Sequence, residues 1–165
     1  MNENRSHLRK YFLLFFLLLV SGVFTEVLAS HIRAAEIIVD RLGNRRYRFT
    51  LIGIRDSEDG RVDFGLGTFR FGDNIGLIRN LRNDPRDEVG NPVEVQHTLD
   101  ELGNGIEVNT FVFEYTYASV QPRITVSYEE DFRNDFILNL GAPGDGNGSD
   151  EIPFYVETQF SIDPS

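Results

Sequence analysis

The feature that most constrains the fold is an apolar–polar alternation that begins just after position 30. Two arms, residues 32–42 and 45–55, flank the pair Gly43-Asn44, and alternate side chains of the second arm form an apolar row of Tyr47, Phe49 and Leu51. Because successive side chains of a strand point to opposite faces, this pattern predicts a β-hairpin. A glycine-first pair suits a two-residue primed turn, so we expect the turn at Gly43-Asn44. Ile52 and Ile54 on the second face predict a strand that becomes more buried toward its end.

The rest of the chain continues this strand pattern. Segments with strand character, separated by turn signals, cover residues 62–71, 93–100, 106–117, 123–128 and 152–163. Residues 72–92 are charged and contain two Asx-Pro pairs, which predicts a long surface loop with one helical turn. In the segment 106–117, one face carries four aromatic rings that we expect in the core: Phe111, Phe113, Tyr115 and Tyr117. The sequence therefore predicts an all-β fold, an antiparallel immunoglobulin-like β-sandwich of about seven strands.

The first 29 residues have the pattern of a signal peptide. Arg5, Arg9 and Lys10 precede an apolar run of ten residues, and Val27-Leu28-Ala29 matches a cleavage triplet. An uncleaved anchor is the alternative, but about twenty apolar residues are wanted to span a bilayer. We therefore expect a signal peptide at 1–29, a single domain at 30–165 and no membrane insertion after cleavage. The expected location is secreted or on the cell surface.

Composition narrows the classes of partner. The formal net charge of −10 repels nucleic acid and anionic lipid surfaces, so neither is expected to bind. The chain has no cysteine, so the core rather than disulfide bonds must stabilise an exported domain. Lys10 is the only lysine, so a lysine–asparagine isopeptide crosslink cannot form once the signal peptide is removed.

Motifs at both ends of the predicted domain resemble a known family. They are Ser30-His31-Ile32, Leu42-Gly43-Asn44 and the strand PFYVETQ at residues 153–159. Together they are similar to the N-terminal domain of exported Bacteroidetes surface proteins of the gliding-motility-associated or adhesin-like type. The resemblance implies export and a binding or structural role at the cell surface, with a protein or a glycan as partner, and it implies no known reaction.

One glycine-rich loop is a candidate calcium site. Its oxygen-bearing side chains, on or near alternating positions between glycines, are Asp145, Asn147, Ser149, Asp150 and Glu151. The loop departs from the EF-hand template, because the sixth position is Asp150 rather than glycine and the twelfth is Val156 rather than glutamate. A solvated loop is the alternative. No other cofactor is expected.

Two further groups of residues contain side chains that could take part in catalysis. Glu129, Glu130 and Asp131 include acids that glycosidic cleavage could use, but adjacent residues of a strand point to opposite faces, so we expect a solvated strand end. If cleavage followed Ser30, His31 would become the N-terminus and could bind copper together with His97, as in oxidative enzymes that cleave polysaccharides. A deep polar pocket at His97 or Glu129 would favour an enzyme.

The function that these observations favour is a non-catalytic one. We expect an exported bacterial cell-surface binding or structural module of the adhesin or gliding-associated type. The first alternative is a calcium-dependent domain that binds carbohydrate or protein. The second is the copper-dependent oxidase on polysaccharide. No residue lies in a recognisable nucleophile motif, so no catalytic residue is predicted.

Overall fold

The computed structural model describes residues 32–57, 63–131 and 153–163. These ranges hold eight strands and no helix, and therefore no helix able to cross a membrane. The strands are β1 Ile32–Gly43, β2 Arg46–Asp56, β3 Thr68–Arg70, β4 Leu77–Arg79, β5 Gln96–Gly103, β6 Ile106–Thr116, β7 Gln121–Glu130 and β8 Phe154–Ile162. The predicted all-β class is confirmed.

The strands form two antiparallel sheets of four. The order is β1-β2-β6-β5 in one sheet and β4-β3-β7-β8 in the other. If the strands are lettered A, B, C, C′, D, E, F and G in chain order, the two sheets are ABED and C′CFG. This is the strand arrangement of an immunoglobulin-like sandwich with one added C′ strand. The sandwich prediction is confirmed, with one strand more than expected among the described residues.

The core between the two sheets is built largely from aromatic rings. Phe49 on β2 packs against Phe113 on β6 and against Phe69 and Phe71 from the other sheet, with ring centroids 5.2 to 6.0 Å apart. The predicted aromatic row is confirmed, because Phe111, Phe113 and Tyr117 are buried and Tyr115 packs against the same cluster. Aromatic pairs at these spacings add to the stabilisation from buried area.

The turn between β1 and β2 lies one residue later than predicted. Asn44 and Arg45 occupy the two central positions, with φ angles of 43° and 63°, while Gly43 with φ 115° pairs with Arg46. Leu42 is an extra residue in β1, a β-bulge that shifts the turn along the chain. The β5–β6 hairpin repeats the arrangement, with its bulge before Gly103 and positive φ at Asn104 and Gly105. In both hairpins the tripeptide Leu-Gly-Asn supplies the bulge residue, the last paired glycine and the first central residue of the turn.

The turn geometry predicts opposite effects of two substitutions in one hairpin. A Cβ at Gly43 would touch nothing within 4 Å, so Gly43→Ala tests backbone strain alone, and we expect it to lower the free energy of unfolding by about 1–2 kcal/mol. Arg45→Gly should raise it by up to about 1 kcal/mol, because glycine adopts positive φ without penalty. Chemical denaturation of both variants measures the two changes. Destabilisation of similar size in both would contradict the observed turn.

Three predicted segments differ from the structure. Within residues 62–71, only Thr68–Arg70 forms a strand among the described positions, because the backbone N–H groups of Gly65, Leu66 and Gly67 bond to side chains of β7 instead of to a neighbouring strand. The strand predicted at 93–100 lies at Gln96–Gly103. The loop at 72–92 contains β4 and a series of turns, one of which is a single α-turn closed by the hydrogen bond from the Asp84 N–H to the Asn80 carbonyl at 3.4 Å.

The prediction that β2 becomes more buried toward its end is confirmed. On the outer face Arg46 and Arg48 are exposed, whereas Ile52 and Ile54 are half-buried. The inner row continues as Leu51, Gly53 and Arg55, all buried. This row therefore ends on a buried arginine, which requires a partner in the interior.

Candidate functional site

The predicted calcium ligands Asp145, Asn147, Ser149, Asp150 and Glu151 lie outside the described residues, as do the signal peptide at 1–29 and His31. The calcium hypothesis therefore stays a prediction. Within residues 32–57, 63–131 and 153–163, no group of three or more histidine, aspartate or glutamate side chains is arranged to hold a metal ion.

His97 is held in place by the sheet. Its ring stacks on Phe111 with centroids 4.3 Å apart and planes 4° apart. Its Nε2 lies 3.1 Å from Oδ1 of Asn109, a fully buried side chain. These contacts fix the ring, and the copper hypothesis stays untested because its second histidine is His31.

The acids at the end of β7 do not form the solvated cluster that was predicted. Glu130 is only 3% exposed, whereas Glu129 is half-buried and Asp131 is exposed. The Glu130 carboxylate accepts hydrogen bonds from the backbone N–H groups of Gly65 and Leu66, both at 3.1 Å, and from the Tyr128 hydroxyl. The prediction is therefore wrong for Glu130, which anchors the loop before β3.

A cavity of about 320 Å³ lies beside this carboxylate, lined by Leu66, Gly67, Thr68, Glu129, Glu130 and Asp131. Burial raises the pKa of Glu130, and the hydrogen bonds from Tyr128 and from the two backbone N–H groups oppose that shift. Both oxygens of Glu130 are already bound by donors of the same chain. To act as a nucleophile or a base, the carboxylate would have to give up those bonds, so the geometry favours a structural role.

A charged network, buried at Arg55 and Glu107, joins β2, β6, the loop before β3 and the loop between β4 and β5. Arg55 Nε donates to Glu107 Oε2 at 2.6 Å, and both side chains are at most 10% exposed. Arg55 also pairs with Asp63 at 3.4 Å, and Asp63 pairs with Arg82 at 3.2 Å. Arg82 in turn donates to Asn109 Oδ1 at 2.9 Å. This network was not predicted from the sequence.

The alternation of inner and outer side chains in β2 and β6 contained a sequence signal for this network. Arg55 falls on the same face as Tyr47, Phe49 and Leu51, and Glu107 falls on the same face as Phe111. Two opposite charges in the inner rows of two strands indicate a buried ion pair once the strands are known to be neighbours. That neighbourhood comes from the β2–β6 register, which places Arg55 opposite Glu107.

The best candidate for a ligand site is a cleft of about 370 Å³ at the other end of β6, which we call the Tyr115 cleft. Its apolar surface comes from Phe71, Ile75, Leu77, Ile78, Val89, Val93 and Tyr115, and its acidic groups are Asp87, Glu88 and Glu114. Tyr115 stacks on Phe71 with ring centroids 3.9 Å apart and planes 8° apart. A second hollow of about 290 Å³ adjoins it across Ile75 and Glu88.

One wall of the cleft is fixed by Asp73. Its Oδ1 accepts from the backbone N–H of Ile75 at 3.3 Å and of Gly76 at 2.7 Å, which closes an Asx turn. Its Oδ2 accepts from the Tyr115 hydroxyl at 2.6 Å. Burial, together with this hydrogen bond, raises the pKa of Tyr115. Tyr115 is therefore a neutral donor in a defined position.

The opposite wall is a second closed turn. Asp87 Oδ1 accepts from the backbone N–H of Val89 at 3.0 Å and of Asn91 at 2.7 Å, and Oδ2 accepts from the Asn91 side chain at 3.0 Å. The side-chain hydrogen bond from Asn91 lowers the pKa of Asp87. Arg86 donates to Asp84 at 2.9 Å and to the carbonyl of Gly90 at 3.2 Å. The loop is therefore pre-organised by its own hydrogen bonds.

Each wall of the cleft carries one solvent-exposed apolar side chain. Ile75 is 60% exposed and Val89 is 79% exposed, although the loops beneath them are fixed. On the floor, Glu114 is paired with Arg46 and Arg48. Glu88, by contrast, makes no ion pair or hydrogen bond with any residue in the described ranges. The cleft thus combines an apolar floor, exposed apolar tips and free negative charge at the rim.

Comparisons with protein-family models, with curated proteins and with solved structures return no match for this chain, so its function is argued from the fold and the Tyr115 cleft.

Proposed function

We propose that this chain is a non-catalytic binding module on the surface of a bacterial cell, exported through its N-terminal signal and of the adhesin or gliding-associated type. The signal pattern at 1–29, the strand motifs at both ends of the domain and the acidic composition support the export and surface role. Immunoglobulin-like sandwiches commonly present ligand-binding loops at the ends of a rigid scaffold.

The main structural support for this proposal is that the Tyr115 cleft is pre-organised. Its volume of about 370 Å³ falls within the range of small-ligand and side-chain pockets. Because the Asp73 and Asp87 turns hold its walls, binding costs little ordering of the loops. A partner that covers the solvent-exposed Ile75 and Val89 gains the free energy of burying both side chains.

The chemistry of the cleft defines its ligand. The floor fits one apolar or aromatic side chain, and the carboxylates of Asp87 and Glu88 attract a neighbouring positive charge. One face of the Tyr115 ring is covered by Phe71, which leaves less aromatic surface for a sugar to stack on. The proposed ligand is therefore a protein segment that carries an apolar residue next to arginine or lysine.

Selection of random peptides displayed on phage, with the folded protein as bait, tests this function. We expect the selected peptides to share an apolar or aromatic residue beside a basic one. A double variant, Ile75→Ser with Val89→Ser, should weaken their binding by tenfold or more, because about 1–2 kcal/mol is lost for each buried side chain. Titration calorimetry with one selected peptide measures the loss.

Leu102→Ser is the matched control, since Leu102 is 66% exposed on the distant β5–β6 hairpin. It should leave the affinity unchanged. The proposal is overturned if the double variant binds the selected peptides as tightly as the wild-type protein does. It is also overturned if the selected peptides lack basic residues.

A further inference from the structure

Two arginine side chains, those of Arg70 and Arg79, make no ion pair or hydrogen bond with any residue in the described ranges. The other described arginines pair with a carboxylate or donate to a carbonyl or amide oxygen, as Arg123 does to Gln159. Both unpaired arginines lie exposed on the outer face of the C′CFG sheet. In a chain with a formal net charge of −10, they are positions at which a ligand can place a negative charge.

The position of Arg70 follows from the short strand β3. Phe69 points into the core, where its ring centroid lies 4.8 Å from that of Phe113, so the next side chain along the strand points outward. The strand register sets Arg70 opposite Leu77 on β4 and opposite Ser127 on β7. Neither of these side chains is charged, and therefore the residues directly opposite Arg70 do not neutralise its guanidinium group.

Arg70 lines the hollow of about 290 Å³ that adjoins the Tyr115 cleft. The hollow and the cleft share the wall formed by residues 75–77, together with Glu88. Arg70 and Asn74 line only the hollow, and both side chains carry hydrogen-bond donors. Although Glu88 lines the same hollow, it forms no ion pair with Arg70. The hollow therefore presents one unpaired positive group and one unpaired negative group beside the apolar cleft.

We propose that this hollow is a second subsite of the Tyr115 cleft, in which Arg70 binds a carboxylate of the ligand. The subsite rests on the proposed peptide-binding function and adds a third group to the ligand, beside the apolar residue and the basic one. A planar guanidinium group matches a carboxylate with two parallel hydrogen bonds, which gives direction as well as affinity. The carboxylate belongs either to an acidic side chain of the ligand or to its C-terminus.

The volumes of the cleft and the hollow set the spacing of these groups on the ligand. If each is taken as a sphere, their centres are about 8–9 Å apart, which an extended chain at about 3.3 Å per residue covers in two to three residues. Residues two apart on an extended chain also face the same side. The ligand therefore carries its carboxylate about two residues from the apolar side chain. Because Asp87 and Glu88 attract the basic residue, the opposite charges of the ligand fix its chain direction.

Synthetic forms of one phage-selected peptide, with every other acid replaced by its amide, test the subsite. All end two residues after the apolar residue. The first has glutamate at that last position and an amidated C-terminus, the second has glutamine and a free carboxylate, and the neutral form has glutamine and an amide. A further amidated form with glutamate two residues before the apolar residue covers the other chain direction. At least one carboxylate form should bind about five- to tenfold more tightly than the neutral form, and that form identifies the source of the carboxylate.

Arg70→Gln tests the residue itself, with Arg79→Gln as the matched control. Arg79 is the other unpaired arginine, and it lines neither the cleft nor the hollow. Both substitutions remove one positive charge from an exposed position of the same sheet, so they change the long-range attraction of the ligand to a similar extent. Titration calorimetry should show that the advantage of the carboxylate form disappears in Arg70→Gln and remains in Arg79→Gln.

An undiminished advantage in Arg70→Gln, or no advantage of any carboxylate form in the wild-type protein, would overturn the subsite. Tighter binding of every form to Arg70→Gln would also overturn it, since Arg70 would then serve to neutralise Glu88. These results leave the proposed function in place as long as Ile75→Ser with Val89→Ser still weakens binding of all forms. If that double variant binds as tightly as the wild-type protein, or if no peptide is selected, both proposals fail.

Discussion

Replacement of Arg55 by methionine should lower the free energy of unfolding by about 3–5 kcal/mol. Arg55 and Glu107 pair at 2.6 Å with at most 10% of either side chain exposed. Arg55→Met leaves the Glu107 carboxylate in the interior without its partner, and an uncompensated buried charge is costly. The substitution also removes the contact of Arg55 with Asp63, and with it one link to the loop that carries Arg82. Urea unfolding followed by fluorescence or circular dichroism measures the loss.

The double variant Arg55→Met with Glu107→Leu is the control for this prediction. Because it removes both charges, it should recover most of the loss, since apolar side chains of similar volume often replace a buried ion pair at little cost. The coupling energy from the double-mutant cycle should then be of the order of 3 kcal/mol. Additive losses in the two single variants would show that the pair is not coupled.

Glu130→Ala should be similarly destabilising. The substitution removes the acceptor for the backbone N–H groups of Gly65 and Leu66 and for the Tyr128 hydroxyl. Three donors at about 1.5–3 kcal/mol each would stabilise by about 4.5–9 kcal/mol. The desolvation that raises the pKa of Glu130 offsets part of this, so we expect a net loss of about 4 kcal/mol. Hydrogen exchange of the Gly65 and Leu66 amides should increase more than that of the β2 and β6 amides. Glu129→Ala, at the neighbouring half-buried position, should cost less than about 1 kcal/mol.

The pH dependence of stability shows whether burial or hydrogen bonding has the larger effect on the pKa of Glu130. Burial raises the pKa of this group in the folded state, so its stabilising contribution is complete below the pKa of glutamate in the unfolded chain, about 4.3. It is lost as the pH rises through the folded-state pKa. Relative to Glu130→Gln, which cannot titrate, the wild-type protein should therefore lose stability as the pH rises above about 4. A gain in stability as the pH rises would mean that the hydrogen bonds to the carboxylate outweigh its desolvation.

Local periodicity was enough to predict much of the sandwich. The rows Tyr47–Phe49–Leu51 and Phe111–Phe113 mark the inner faces of β2 and β6, because each residue's face follows from its neighbours two positions away. The turn between β1 and β2 nevertheless lies one residue later than predicted, since the bulge at Leu42 depends on strand pairing rather than on composition. The strand predicted at 62–71 forms only at Thr68–Arg70 among the described residues, because Glu130 and Tyr128, more than sixty residues away, bind the backbone N–H groups of Gly65, Leu66 and Gly67.

The candidate sites depend on contacts between residues that are distant in the chain. The alternation of this sequence determined by itself that the chain is all-β and which rings enter the core, since a strand's side chains are sorted by position alone. Only the tertiary structure decided that Arg55 meets Glu107, that Glu130 is buried and that Asp73 positions Tyr115 across 42 residues. Those pairings follow from strand order and register, and periodicity within one strand contains no information about its neighbour.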